Sequence, residues 1–242
     1  MELSISLAPD ILFNIGSMPI TNTLFWSFFV SLFLIVITLI INRSLKSVPG
    51  TLQNIVEILI EGSYLFVQTI TGSNKKTKYL FPLVFTMFIF IAIANIFVFI
   101  PGQSAITLDN GEGSVPLFRA VMSDYGMVFI LTIISIIAMQ VAAIATNGPF
   151  KYIGKFLNFK GPLEFFLGLM DFIGELAKIL SLSFRLFGNI FAGETLTAVL
   201  LFLLPFIAPL PFMFLGILTA IVQAFVFATL TLVFVTMASE KV

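Results

Sequence analysis

The sequence predicts an all-α integral membrane protein with five membrane-spanning helices and one amphipathic helix. Of its 242 residues, 59% are hydrophobic and only 10% are charged, whereas a soluble domain is close to half apolar and a quarter charged. Several apolar stretches also reach the ~20 residues that a helix needs to cross a bilayer. A soluble core cannot bury this much Phe, Ile and Leu, so we expect a single polytopic membrane domain over residues 1–242.

The first part of the chain predicts one spanning helix and one amphipathic helix. Residues 23–41 carry no charge and are followed by Arg43 and Lys46. Residues 51–70 differ, because polar side chains recur there every three or four positions. Those side chains are Gln53, Glu57, Glu61, Tyr64 and Gln68. We expect this second helix to lie on the cytoplasmic membrane surface or against partner helices.

Four more helices follow. Residues 79–100 and 125–146 predict two spans, separated by a polar loop with an Asp109-Asn110-Gly111 turn signal. Residues 163–204 are helical throughout and too long for one perpendicular span, which indicates a tilted, bent or partly surface-lying helix. Together with the last helix, residues 212–238, this segment predicts a long tilted helix hairpin near the C-terminus.

Composition and charge exclude several functions and predict an orientation. The net charge is zero, and both cysteine and histidine are absent. We therefore expect no nucleic acid partner, no metal and no cofactor. Basic residues concentrate in two segments, 43–78 and 151–160, which the positive-inside rule assigns to the cytoplasm. This orientation puts the N-terminus outside and the C-terminus inside a bacterial plasma membrane, with an organellar inner membrane as the alternative location.

Charged residues in the long helix are the strongest indication of function. A charge at the centre of a bilayer costs at least ~2.5–3.5 kcal/mol on insertion scales, so each one is a functional candidate. They are Glu164, Asp171, Glu175, Lys178, Arg185 and Glu194. At 100° per residue, a narrow stripe forms on one face of the helix. It contains Asp171, Lys178, Ser181, Arg185 and Asn189.

Arg185 has no carboxylate one helical turn away. Its neighbours at four-residue spacing are Ser181 and Asn189, and an arginine keeps its charge in proteins. We therefore expect its partner on another subunit. Glu194 lies ~13 Å further along the axis and is turned to nearly the opposite face. This arrangement suggests two polar routes, one from each side of the membrane, offset around a central arginine.

Structural roles are the alternative for several of these residues. Lys178 could pair with Glu175 or Asp171 in a salt-bridge network, and Glu164 could stabilise the helix N-terminus. Interhelical hydrogen bonds, worth ~1 kcal/mol each, are the expected role of Asn95 and Gln140 and the alternative role of Gln223.

The segment around Arg185 resembles subunit a of the F-type ATP synthase. The resemblance is strongest in SLSFRLFGNIFAGE at residues 181–194. IVQAFVF at residues 221–227 also resembles the family, and ANIFVFIPG at residues 94–102 is a looser match. The similarity extends from about residue 19 to the end of the chain and is strongest from residue 163 onward.

The resemblance implies a stator subunit with two offset half-channels, through which H⁺ or Na⁺ reaches the carboxylates of a ring of c subunits. Arg185 is then the arginine that faces the ring. The half-channel residues that match the family's polar positions are Asp171, Lys178, Ser181, Asn189, Glu194 and Gln223, and we add Glu175 as a neighbouring charge. The implied partners are the c-ring, peripheral-stalk b subunits, the bilayer and the coupling ion. No ATP site is expected in this chain itself.

One position departs from the family pattern. Some members place a histidine or glutamate in the last helix as a partner for the carboxylate at Glu194, but alignment on Gln223 gives Gly216 here. The outer half-channel would then use Glu194, water or other groups.

Two other functions are the alternatives. In a secondary transporter, Arg185 would bind an anionic substrate, but the chain shows no internal repeat. A membrane insertase with an arginine in a hydrophilic groove would have a large soluble domain or coiled loop, which the sequence does not predict.

Overall fold

The structure is a computed structural model that describes residues 9–16, 18–98, 106–109, 114–148, 161–203 and 209–239. This part of the chain contains six long helices, and five of them are long and apolar enough to cross a membrane. The predicted class, an all-α membrane protein with five spans and one further amphipathic helix, is confirmed. The helices are α1 (Asn22–Ser44), α2 (Thr51–Thr71), α3 (Asn74–Val98), α4 (Tyr125–Asn147), α5 (Pro162–Leu203) and α6 (Pro209–Ala238).

The first helix, α1, begins at a side-chain cap. The Thr21 hydroxyl accepts a hydrogen bond from the backbone N–H of Leu24 at 3.3 Å, which satisfies one of the donors that a helix start leaves free. Trp26 is buried and stacks on Phe29 with ring centroids 4.8 Å apart. Its ring also meets the edge of Phe97 from α3 at 5.6 Å. Aromatic packing therefore attaches α1 to α3.

The amphipathic helix α2 packs one face against α3 and α6. Val67 is buried in a cluster with Val84 of α3 and Ala228 of α6, while Glu57 and Glu61 are exposed. The helix ends at Gly72, which has a φ of 63°, a left-handed conformation that glycine adopts at little cost.

The start of α3 differs from the prediction. The helix begins at Asn74 rather than residue 79, so Lys75, Lys76 and Lys78 lie in its first turns. Thr77 explains the early start, because its backbone N–H and its hydroxyl both donate to the Ser73 carbonyl. Pro82 consequently lies inside the helix, where it removes one backbone hydrogen bond.

Two short β-hairpins were not predicted. β1 (Ile11–Ile15) pairs antiparallel with β2 (Met18–Thr21), and β3 (Thr107–Asp109) pairs antiparallel with β4 (Ser114–Pro116). The second hairpin lies in the loop expected to be polar, and two residues of its predicted turn, Asn110 and Gly111, lie outside the described residues. A short 3-10 helix, Val121–Ser123, then leads into α4.

The last helix, α6, lies at the centre of the helix packing. It contacts α2, α3, α4 and α5. Its buried face carries Ala220, Ala224 and Ala228 at four-residue spacing, and small residues at this spacing allow close helix approach in membranes. Further along, the Thr231 hydroxyl donates to Ser135 of α4 at 3.3 Å.

The long helix α5 is continuous over 42 residues. At 1.5 Å per residue it measures about 63 Å, twice the ~30 Å hydrocarbon thickness of a bilayer. It packs against α4 and α6. Its length requires a strong tilt or a partly surface-lying course.

Candidate functional site

The buried face of α5 determines where its charges point. Leu182, Leu186 and Ile190 recur at four-residue spacing and are almost fully buried. Phe184 stacks on Tyr125 of α4 with ring centroids 5.2 Å apart. Because these residues fix the rotation of α5, Arg185 is left on a face that no other described helix covers, and it is exposed.

The face around Arg185 is polar. Ser181 and Asn189, one turn to either side, are exposed like Arg185. The Arg185 guanidinium donates through Nη2 to the Ser181 hydroxyl at 3.5 Å, a long hydrogen bond. No carboxylate among the described residues lies within ion-pair distance of Arg185. An exposed, permanently charged guanidinium without a carboxylate is well placed to meet an anionic group from outside the chain.

The Lys178 side chain is engaged within the protein. Its Nζ lies 3.0 Å from Oε1 of Glu175, and the two side chains are 34% and 15% exposed. The same Nζ lies 5.2 Å from the centroid of the Phe234 ring of α6, within the range of a cation–π contact. Lys178 thus bridges α5 and α6, while Asp171, its other possible partner, is exposed.

Glu175 retains one free oxygen. Its Oε2 is buried and has no hydrogen-bond partner among the described residues, whereas Oε1 accepts from Lys178. Buried polar atoms are rarely left unpaired. This oxygen can therefore accept a proton or a water molecule at the α5–α6 contact.

Glu194 faces the protein interior rather than the Arg185 face. Its carboxyl group lies close to the Ser123 hydroxyl and within electrostatic range of Arg119, while that hydroxyl donates to the Ala120 carbonyl at 2.9 Å. Both residues precede α4, and Ser123 is fully buried. The sequence did not link these residues to Glu194, since no periodicity connects a loop residue to a helical residue more than 70 positions later. The only signal was that Arg119 is the one basic residue between positions 101 and 124.

Further polar contacts lie next to Ser123 and were not predicted. The Thr23 hydroxyl of α1 donates to Asp124 Oδ2 at 2.8 Å. The neighbouring Asn22 amide donates to Asp10 Oδ2 and to the Pro116 carbonyl, each at 3.4 Å. Together they form a polar cluster, consisting of Asp10, Asn22, Thr23, Pro116 and Asp124, that adjoins the Ser123–Glu194 contact through the peptide bond between Ser123 and Asp124.

The remaining candidates lie in less specific surroundings. Gln223 is half-buried on α6, and Gly216 lies on the same helix, so that position supplies no ionisable side chain. Glu164 is exposed in the first turn of α5. A carboxylate at this position can stabilise the helix N-terminus, which is the alternative role given for Glu164. The interhelical hydrogen bond expected of Asn95 is wrong, because both amide atoms are buried without a partner among the described residues.

Comparison with known proteins shows which family this chain resembles. A family model described as "ATP synthase A chain" matches residues 24–236. ATP synthase subunit a of Moorella thermoacetica is 33% identical over 227 residues, which cover 94% of each chain. Subunit a of Desulfosudis oleivorans is 38% identical over 203 residues, covering 82% of this chain and 79% of the relative. The chloroplastic subunit a of Stigeoclonium helveticum is 35% identical over 209 residues, covering 86% and 80%.

Proposed function

Because the chain belongs to the ATP synthase A chain family, we propose that it is the stator subunit that guides H⁺ or Na⁺ to the carboxylates of the c-ring through two offset half-channels. The observation that carries the proposal is the exposed guanidinium of Arg185, which has no carboxylate partner among the described residues. A ring carboxylate would be that partner. The family assignment favours this function over a secondary transporter.

The mechanism follows from the energy of moving a carboxylate through lipid. A charged carboxylate is strongly disfavoured in hydrocarbon, whereas a carboxylate neutralised by H⁺ or Na⁺ can pass. Next to Arg185 the charged form is favoured, so the ion leaves there. The fixed positive charge also repels cations and prevents direct leakage between the half-channels. Each elementary charge that crosses the membrane contributes ~2.3 kcal/mol per 100 mV to rotation.

The half-channels are proposed to approach Arg185 from two faces of α5. The cytoplasmic one follows Asp171, Ser181 and the Lys178–Glu175 pair, whose unpaired Oε2 offers a site for a proton. Asn189 and Gln223 line the path beside Arg185.

The outer half-channel is proposed to end at Glu194. The Ser123 hydroxyl and the Arg119 charge take the place of the ionisable partner that is missing at Gly216. The polar cluster around Asp124 and Thr23 gives water a hydrogen-bonded entrance from the hairpin side of the protein.

The proposed partners and location follow from the same assignment. The c-ring covers the Arg185 face, and b subunits of the peripheral stalk join the complex elsewhere. The lysine distribution favours a bacterial plasma membrane with the N-terminus outside and the C-terminus in the cytoplasm.

Replacing Arg185 tests the proposal. We expect Arg185→Ala to abolish ATP-driven ion pumping and ion-driven ATP synthesis in membrane vesicles, because nothing then discharges the ring carboxylate. Arg43→Ala is the matched control, since it removes an exposed arginine at the end of α1. Immunoblots for this chain and the c subunit check assembly. Full ion-driven ATP synthesis by the assembled Arg185→Ala complex would refute the function.

A further inference from the structure

We propose that the cavity between α2, α3 and α6 binds an anionic phospholipid, with an acyl chain inside the cavity and the phosphate beside the lysines at the start of α3. The cavity has a volume of about 390 Å³, within the ~300–1,000 Å³ range of ligand sites. It shares no residue with the proposed half-channels.

The lining of the cavity suits a hydrocarbon chain. It is formed by side chains of α2 between Ile58 and Val67, of α3 between Phe81 and Phe88, and of α6 between Phe225 and Thr229. Ser63 and Thr229 are the only polar residues in this lining. A ligand that fills the cavity therefore meets almost no hydrogen-bonding groups, which favours an apolar ligand.

A positive charge lies at one end of the cavity. On α3, Lys78 precedes the lining residues Phe81 and Phe85 by three and seven positions, so all three share one face of the helix. Lys78 is exposed, as is Lys75 one turn earlier. Both lie in the first turns of α3, where the helix dipole also attracts anions. An anionic headgroup thus finds complementary charge next to the apolar cavity.

Neighbouring residues agree with a position at the membrane interface. Tyr79, beside Lys78, is 77% exposed, and exposed tyrosines are enriched at the level of lipid headgroups. The carboxylates of α2 do not oppose the phosphate, because Glu57 and Glu61 lie on the face of α2 turned away from the cavity.

The size of the cavity favours a lipid over a helix of another subunit. A helix is ~10–12 Å across, so about one turn of it would fill the whole 390 Å³ of the cavity. An acyl chain is much thinner and can enter along the length of the cavity. Each methylene that it buries adds to the binding free energy.

Photolabelling of the intact complex tests this site. The purified ATP synthase containing this chain is placed in nanodiscs with phosphatidylglycerol or phosphatidylcholine, each carrying a diazirine on one acyl chain. We expect labelled peptides from α2 and α3, and more labelling with phosphatidylglycerol. Absence of label from these peptides, or a cross-link from the cavity to a transmembrane helix of another subunit, would overturn the proposal.

Two variants separate the acyl site from the phosphate site. A Cβ at Gly62 would meet no atom within 4 Å, so the ring of Gly62→Phe can occupy the cavity, and we expect it to remove the label with both lipids. Gly50→Phe is its control, because Gly50 has equally open surroundings but does not line the cavity. Unchanged labelling in Gly62→Phe would contradict the acyl site.

The lysine variant addresses the headgroup. A lysine near an anionic lipid surface is worth about a fivefold preference, so Lys78→Gln should reduce the preference for phosphatidylglycerol by about that factor while phosphatidylcholine labelling stays the same. Lys46→Gln, an exposed lysine outside the cavity, serves as the control. An unchanged preference in Lys78→Gln would refute the phosphate site. None of these measurements depends on ion translocation, so they remain valid if the proposed function fails.

Discussion

At the scale of single residues, the ionisable side chains of α5 have two kinds of environment. Arg185 is exposed on the outer face, whereas Glu175 and Glu194 are partly buried and lie next to other polar residues of the chain. A partly buried carboxylate requires hydrogen bonds or a nearby cation. An exposed guanidinium in lipid requires a partner from elsewhere. The two environments therefore assign different tasks to charges on one helix.

The contact between Glu194 and Ser123 is testable. Ser123→Ala removes the hydroxyl beside the Glu194 carboxyl group. The loss of one polar contact, about 0.5–1.5 kcal/mol, predicts a loss of about two- to tenfold in the initial rate of ATP-driven ion pumping. Ser123→Thr keeps the hydroxyl and should retain most of the rate. Ser27→Ala is a matched control, since that hydroxyl only binds a carbonyl of its own helix. Wild-type pumping by Ser123→Ala would show that the contact has no role in ion translocation.

Helical periodicity predicted part of this residue-level arrangement. It correctly predicted that Arg185 and Glu194 lie on different faces of α5, because their spacing alone sets the angle between them around the helix axis. It left Lys178 with two possible partners, and the structure selects Glu175. It could not identify Ser123 and Arg119 as neighbours of Glu194, because contacts between a loop and a distant helix depend on how the whole chain packs.

At the scale of elements, α6 combines close packing with polar contacts. Its buried alanines let neighbouring helices approach, and Thr231 adds a hydrogen bond to Ser135 of α4. Interhelical hydrogen bonds in membranes contribute ~1 kcal/mol or less. Close packing must therefore provide most of the attachment of α6.

Enlarging a buried alanine tests that packing. Ala224 is fully buried, and Ala224→Leu would overpack the core at a cost of about 1–3 kcal/mol. We expect a lower melting temperature for the detergent-solubilised complex, measured by size-exclusion chromatography after heating. Ala145→Leu, at an exposed position of α4, should leave it unchanged. Equal melting temperatures in the two variants would argue against a tightly packed α6.

The elements that sequence reasoning missed are those fixed by local polar contacts. Long apolar runs predict spanning helices because the bilayer imposes their length. The early start of α3 depends on Thr77 and Ser73, whose side-chain and backbone bonds leave no hydropathy signal. The β-hairpins are too short for a clear two-residue alternation, and tertiary contacts stabilise such pairs more than propensity does.

At the scale of the whole molecule, the distribution of charge predicts one orientation in the membrane. The lysines at the start of α3 and the arginine at the end of α1 lie in one segment of the chain. The first hairpin precedes α1 and so lies at the opposite end of that helix. If α1 spans the bilayer, these two regions face different compartments.

Single cysteines can determine the orientation, because the chain has none of its own. Ser47 and Asn14 are both exposed. We expect Ser47→Cys to react with a membrane-impermeant maleimide only in inverted vesicles and Asn14→Cys only in right-side-out vesicles. The two sites act as controls for each other, and the reverse pattern would invert the proposed topology.

The unbroken course of α5 has a mechanical consequence. In the proposed function, this chain must resist the sideways force of the c-ring, and any yielding would waste part of each step. α5 is a single helix of about 63 Å that packs against both α4 and α6. It therefore resists bending better than a helix interrupted by hinges would. In the proposed function, the buried face of α5 with Leu182, Leu186 and Ile190 contributes the stiffness that the transmission of torque requires.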